Sequence, residues 1–373
     1  MRCPRIDVDL RKIRHNTRTI VERLKGRGIR VTAVTKAVCG HPAIAQAMLD
    51  GGAAGLAEAR LSNVKRLRQA GVTCPITLIR TPMLCQVDGV VQACEASYNT
   101  EMAVIAALAT AARRQNTVHD IILMVEMGDQ REGIMPHDVG HMGQQVVDMP
   151  GVTLKGIGAN FACLNGLAPT AAKMRALSAL ANDVEGQCGP IIGTVSGGNS
   201  VNLPWAFGAC ATGRINDLRI GEAILLGVDP ITGDQIGDMY RDAFTLVAEV
   251  IETDAKSAHP LVGNSDHTLA RIRLVPDISK ITRIILAIGH QDTDAAGLSM
   301  PTGNTLIGAT SDHLVIGTKD AALCVGSEMR FQMSYGALMR AMAAPDIQIH
   351  LRNDRPSTNA HKVHGPGKHL TLT

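Results

Sequence analysis

The chain has 373 residues, a net charge of +3, 45% hydrophobic and 19% charged residues, which is the composition of a folded protein of two domains. The small charge, without any long Lys/Arg block, argues against nucleic acid or an anionic membrane surface as a partner, and the 2% aromatic content leaves little to stack bases and hands the core to aliphatic residues and methionine. No apolar run approaches the ~18 residues of a membrane span, no apolar leader segment opens the chain, and nine cysteines without a CxxC pair read as reduced thiols of a cytoplasmic protein.

Arg5–Leu10 alternates polar and apolar residues, as a half-buried strand does. Leu10, Ile13, Thr17, Ile20, Val21 and Leu24 then recur at helical spacing, and Gly26-Arg27-Gly28 stops the helix. From here short apolar runs alternate with helical stretches. The predicted strands are Ile29–Lys36, Gly55–Ala59, Ile76–Arg80, Ala93–Tyr98, Ile121–Glu126, Leu154–Phe161, Ile191–Ser196 and Leu218–Gly221, and the helices between them include Ala43–Leu49, Met102–Arg113 and Ala171–Ala181. Eight βα units are the number that closes a (β/α)₈ TIM-type barrel, with a doubly wound open sheet as the rival arrangement. After Gly227 the pattern changes to strands at Thr245–Thr253, His267–Leu274, Ile281–Ile288, Leu314–Gly317 and Glu328–Met333, separated by turns and without a strong helical pattern. The expected fold class is therefore α/β: a barrel over residues 11–228, then a mainly β domain over 229–352 into which residues 1–10 pair, and a polar tail at 353–373.

Several motifs fail on inspection. No P-loop, HExxH or EF-hand pattern is present. Gly156-Ile-Gly158 starts like a dinucleotide fingerprint but has Phe161 where the third glycine belongs, and Gly193-Thr-Val-Ser196-Gly197 places its serine one residue late for a nucleophile elbow. More survives at the strand ends. Lys36 ends the first barrel strand, which puts it at the catalytic face of such a barrel; alone it reads rather as a lysine reaching for water. Ser196-Gly197-Gly198-Asn199-Ser200 ends the seventh strand, and small residues there expose backbone N–H groups of the kind that hold phosphate. Arg219-Ile-Gly221-Glu222 ends the eighth, next to where such barrels bind phosphate. A lysine facing a phosphate cradle suggests pyridoxal 5'-phosphate carried on Lys36.

These residues resemble the alanine racemase superfamily, the fold-type III pyridoxal phosphate enzymes, and within it the ornithine and lysine racemase branch. The resemblance spans residues ~5–350. Val34-Thr-Lys36-Ala-Val-Cys-Gly-His41 is similar to the family's cofactor-lysine strand, and Met127-Gly-Asp-Gln-Arg131-Glu-Gly133 to the segment that carries an arginine near the substrate carboxylate. Gly156-Ile-Gly-Ala-Asn160-Phe161 resembles the strand beside the cofactor ring, and Arg219 the arginine that faces the pyridine nitrogen, with Gly221 and Glu222 following at the phosphate. Gly289-His290-Gln-Asp292 falls where the family carries its second catalytic base, Ser311-Asp312 on the loop that meets the partner's substrate, and Tyr335 at the phosphate-binding tyrosine. The resemblance thus implies a racemase of a free amino acid, either basic (ornithine or lysine) or of broad specificity, and a homodimer with shared active sites. Lys36 and His290 would exchange the Cα proton on opposite faces, and Arg131 would bind the α-carboxylate.

This chain departs from alanine racemases at three places: Cys39 where a tyrosine follows the lysine, Asn160 for a histidine, and His290 for a tyrosine. An imidazole can serve as acid or base, yet His290 also reads as a histidine in a turn; Arg131 also reads as a surface ion pair, and Asp312 as a turn cap. Asp129, Asp292 and Asp294 are acids that a basic substrate side chain would need. A decarboxylase or a D-amino-acid lyase of the same fold, or a pyridoxal phosphate homeostasis protein without turnover, are the alternative functions. No set of metal ligands is expected.

Overall fold

The computed structural model describes residues 3–164, 166, 168–254, 282–319 and 322–352. Strand β1 (Arg5–Asp9) runs straight into the helix Leu10–Lys25, because the Asp9 carboxylate accepts hydrogen bonds from the N–H groups of Arg11 and Lys12 and so caps the helix start. Ile13, Ile20 and Leu24 face the core at the expected spacing.

Eight strands then close a parallel barrel: β2 (Arg30–Val34), β3 (Gly55–Glu58), β4 (Ile76–Leu78), β5 (Ala96–Asn99), β6 (His119–Val125), β7 (Val152–Ala159), β8 (Thr194–Ser196) and β9 (Asp217–Ile220). The ring is shut by β2 pairing with β9, where Val31 lies opposite Leu218. Each strand matches one of the eight predicted apolar runs. Helices such as Pro42–Asp50, Met102–Arg114 and Ala171–Cys188 cover the outside, and strand and helix side chains merge in one large core. A smaller apolar cluster of Ala96, Tyr98, Ile122 and Met124 sits apart from it.

Beyond the barrel come β10 (Phe244–Asp254), β11 (Thr282–Leu286), β12 (Leu298–Ser299), β13 (Asn304–Ala309), β14 (Leu314–Thr318), β15 (Glu328–Met333) and β16 (Gln348–Arg352). They form a mainly antiparallel sheet in the order β12-β15-β10-β11-β14-β13. Strand β1 belongs to this sheet, antiparallel to β10 and parallel to β16. The strand expected at His267–Leu274 and the tail 353–373 lie outside the described residues.

Within this mainly β part of the chain lies a helix that the sequence reading did not name, Tyr335–Ala343, with Ala337, Leu338, Ala341 and Met342 buried. Alanine, glycine and methionine give a shallow polarity contrast, so its periodicity is faint in the sequence. The helix is fixed by packing against the one-turn helix Lys36–Val38 at the mouth of the barrel, and by Ser334, whose hydroxyl caps it at the Ala337 N–H.

Strand β1 is pinned by charge as well as by pairing. Asp7, 4% exposed, accepts from Arg5 Nε (3.0 Å), Arg330 Nη1 (3.0 Å) and Arg352 Nη2 (2.7 Å), and Arg5 forms a two-pronged contact with Glu328 (2.6 and 2.7 Å). Burial works against the Asp7 charge, but the arginines hold its carboxyl below the usual range, and Arg5 takes that of Glu328 down to about 2. Removing the carboxylate strands these cations. Asp7→Asn is therefore expected to cost about 2–3 kcal/mol in urea unfolding at neutral pH, the half-exposed arginines being partly screened. A carboxyl depressed in the folded state stabilises above its unfolded value and ceases to do so as pH falls through the folded one. The gap between wild type and variant should accordingly close as the pH falls below the ordinary carboxylate range of about 4. A gap independent of pH would assign the loss to packing alone.

Candidate active site

The lysine is placed by the residue before it. Strand β2 ends at Val34, and Thr35 turns the chain (φ −101°, ψ 3°) so that Lys36 opens a one-turn helix. Thr35 is held at both ends: its N–H donates to Ala57 O (3.0 Å) and its hydroxyl to Glu58 Oε2 (3.1 Å). Glu58 is fully buried at the end of β3, its other oxygen accepts from Ala59 N (2.7 Å), and burial pushes its carboxyl up. Lys36 consequently lines a cavity of about 960 Å³ at the C-terminal mouth of the barrel. Asn160, Asn199, Ser200, Arg219, Gly221, Glu222, Tyr335 and Arg131 line the same cavity.

Arg219 is the most constrained of these. It is 4% exposed on β9. Nη1 donates to Ser196 Oγ (2.6 Å) and Tyr98 Oη (3.2 Å), while Nη2 donates to Ala159 O (2.7 Å) and Asn160 Oδ1 (2.8 Å). A guanidinium has five N–H donors, so among the described residues only the Nε–H is left uncommitted. The guanidinium also stacks on the Tyr98 ring, 4.6 Å from its centre. That stack bridges β5 and β9, which are not neighbours, so it crosses the barrel interior. Gly158 makes the room: a Cβ there would stand 2.8 Å from Tyr98 Cε1 and 3.4 Å from Arg219 Nη1. The compensating charge arrives indirectly. Ser196 donates its hydroxyl to Asp217 Oδ2, and Thr32 donates to Asp217 Oδ1 (2.6 Å).

The segment after β8 divides in two. Ser196, Gly197 and Gly198 do not line the cavity; the Gly197 N–H donates to Asp217 O (2.9 Å) and Gly198 O accepts from Arg219 N (2.9 Å). Asn199 and Ser200 reach the wall. Ser200 opens one short turn and Glu222 another, positions whose backbone N–H groups have no helical carbonyl to bond. Burial pushes the Glu222 carboxyl up and Lys36 opposes this; burial also raises the Tyr335 phenol. A lysine, an arginine, the N–H groups of two helix starts and a phenol around one cavity suit a phosphorylated pyridine aldehyde in charge and donor type.

The Nε/Nη2 edge of Arg131, which lines the same cavity, is taken by its neighbour. Nη2 donates to Glu132 Oε1 (2.7 Å) and Nε to Glu132 Oε2. Asp129 is buried beneath them. Its Oδ1 accepts from Cys163 N (2.9 Å) and Leu164 N (3.0 Å), and its Oδ2, which has no hydrogen bond among the described residues, stands 3.8 Å from Arg131 Nε.

His290, Ser311 and Asp312 come together, but not here. All three are exposed and none lines the cavity of its own chain. His290 N donates to Thr310 O (2.9 Å) and Gln291 Nε2 to Asp312 Oδ1 (2.9 Å). The two turns can touch because residue 289 is glycine, where a Cβ would lie 2.2 Å from Ser311 O. Asp292 is engaged by Gly289 N (2.9 Å), and neither it nor Asp294 reaches the cavity.

Sequence reading did not single out Tyr98, Glu58 or Glu132. A strand tyrosine reads as core and a loop glutamate as solvated; only the strand-end position of Glu58, matching that of Lys36, was a usable signal. Among the described residues no group of three or more His, Cys, Asp or Glu could hold a metal ion, and no helix is long and apolar enough to cross a membrane.

Fold and site define a two-part barrel protein whose polar machinery gathers at the C-terminal ends of its strands. The chain belongs to the alanine racemase N-terminal domain family, which matches residues 8–230. It is similar to the ornithine racemase of Acetoanaerobium sticklandii, 31% identical over 93% of this chain and 99% of that one. The lysine racemase of Thermotoga maritima is 33% identical over 92% and 97%. Among solved structures, the fold matches the alanine racemase of Streptomyces lavendulae with a TM-score of 0.74 at 19% identity, covering 95% of this chain and 99% of that one. D-threo-3-hydroxyaspartate dehydratase from Delftia sp. HT23 shares it at a TM-score of 0.72 and 16% identity, over 94% and 95%.

Proposed function

We propose that this protein is a pyridoxal-phosphate-dependent racemase of a free basic amino acid, ornithine or lysine, acting as a homodimer in the cytoplasm. The reading is carried by one observation: Lys36 and the uncommitted Nε–H of Arg219 share a cavity with Ser200, Gly221 and Tyr335. The two racemases alike over nearly their whole length supply the substrate class. All nine cysteines are free, in keeping with a reducing compartment.

Lys36 would carry the cofactor, the backbone N–H groups around Ser200, Gly221 and Glu222 together with the Tyr335 hydroxyl would hold its phosphate, and Asn160 would flank its ring. When bound, pyridoxal phosphate withdraws electrons from the substrate Cα and acidifies its hydrogen. Arg219 would face the pyridine nitrogen with a donor that never gives up its proton; the nitrogen would then stay unprotonated and electron withdrawal limited, which would favour return of the proton to Cα. The Lys36 amine takes and returns that proton on one face. Its counterpart on the other face is His290 of the partner subunit, beside the partner's Ser311 and the partner's Asp312; in its own chain this cluster stands outside the cavity. Arg131 binds the α-carboxylate.

Incubating the holoenzyme with single L-amino acids and separating the enantiomers by chiral chromatography tests the reading. Ornithine or lysine should approach an equal mixture, with no loss of total amino acid. Consumption without inversion would instead support a lyase or a decarboxylase.

A further inference from the structure

We infer that Glu132 is the residue that selects a substrate with a second positive charge, by exchanging its partner Arg131 for the ω-ammonium of a dibasic amino acid. The inference rests on the racemase reading above and names the group that sets its substrate class.

Both members of the pair line the cavity, at 36% and 31% side-chain exposure, and each satisfies the other through a two-pronged contact. A substrate α-carboxylate that takes the Nε/Nη2 edge of Arg131 displaces Glu132 from it. The displaced carboxylate then faces a cavity from which substrate has driven water, and an unpaired charge there is costly. A substrate with a neutral side chain leaves it unpaired. One ending in an ammonium pairs with it, so that two ion pairs replace one and the cavity stays balanced.

Asp129 makes the exchange feasible. Its Oδ2 has no hydrogen bond among the described residues, is buried, and lies 3.8 Å from the same Nε that Glu132 occupies. When Glu132 leaves, this oxygen can take the Nε–H and keep the guanidinium in place for the substrate carboxylate. Asp129 is itself tied down by the Cys163 and Leu164 N–H groups, so it serves as a fixed anchor while Glu132 is the member free to move. A basic side chain therefore finds its counter-charge beside the carboxylate-binding arginine, on a residue that the empty cavity keeps neutralised.

The test compares L-ornithine with L-norleucine, its neutral isostere, in the holoenzyme. Glu132→Gln should lower the ratio of kcat/KM for ornithine over norleucine by about 10- to 100-fold, mostly through KM for ornithine, as expected for loss of one charge-assisted contact. Glu132→Asp, which retains the charge, should restore part of that ratio. A ratio unchanged in Glu132→Gln, in an enzyme whose wild type racemises ornithine, overturns the role of Glu132 and leaves the racemase reading standing. Failure of the wild type to racemise any amino acid overturns both.

Discussion

Lys36→Ala is expected to abolish the visible absorbance of the bound cofactor and to lower racemisation on the order of 10⁴-fold, while the protein stays folded. The magnitude follows from losing, in one substitution, the covalent anchor and the acid–base group for one face of Cα. Folding should survive because the Lys36 side chain projects into the cavity, whereas the turn that places it is held by Thr35, Glu58 and Ala57. Borohydride reduction of the wild-type holoenzyme followed by peptide mapping should put the label on the peptide that contains Lys36. Label on any other lysine would sink the assignment.

His290→Ala should slow inversion by about 10²- to 10⁴-fold in both directions, since each inversion needs a group on each face. Exchange of the Cα hydrogen with solvent deuterium should persist with retention, because Lys36 still removes and returns a proton on its own face. Wash-in without inversion is thus the signature to measure. A composite site adds a second readout. Mixing Lys36→Ala with His290→Ala chains should recover roughly a quarter of wild-type activity, because random re-association makes half the dimers mixed and each mixed dimer has one intact site. If His290→Ala inverts at near the wild-type rate, a water or another residue of the β domain, such as Asp292, supplies that face.

The barrel could be read from the chain because its strands are buried on both faces and so appear as uninterrupted apolar runs between helical stretches. The sheet was harder. Strand β13 is half-exposed along most of its length, and β16 alternates weakly as Gln348-Ile-His-Leu-Arg352. Lys36 and Arg219 were legible because each ends or sits on a barrel strand, and strand ends converge in space wherever they fall in sequence. What was not legible is contact between distant positions. Nothing in the sequence says that Tyr98 lies under Arg219, 121 positions away, or that Ser196 stands between Arg219 and Asp217. Local chemistry hid Glu132, an ordinary loop acid until its carboxylate is found on the fork of Arg131. The acids named for a basic substrate illustrate the limit. Asp129 is committed to backbone N–H groups, and Asp292 and Asp294 do not reach the cavity of their own chain.

Strand β1 has a bearing on how the protein is made. It is translated long before either of its partners is complete: β10 begins at Phe244 and β16 ends at Arg352. At ~5–20 residues per second, its second edge stays open for roughly 20–70 s while the whole barrel is synthesised and able to fold. The helix Leu10–Lys25 is joined to β1 through the Asp9 cap without a linker, so the barrel in closing holds β1 at its flank. The charge on Asp7 discourages the waiting strand from pairing with other nascent chains. The same carboxylate that later collects Arg330 and Arg352 thus guards the edge until those arginines have been translated.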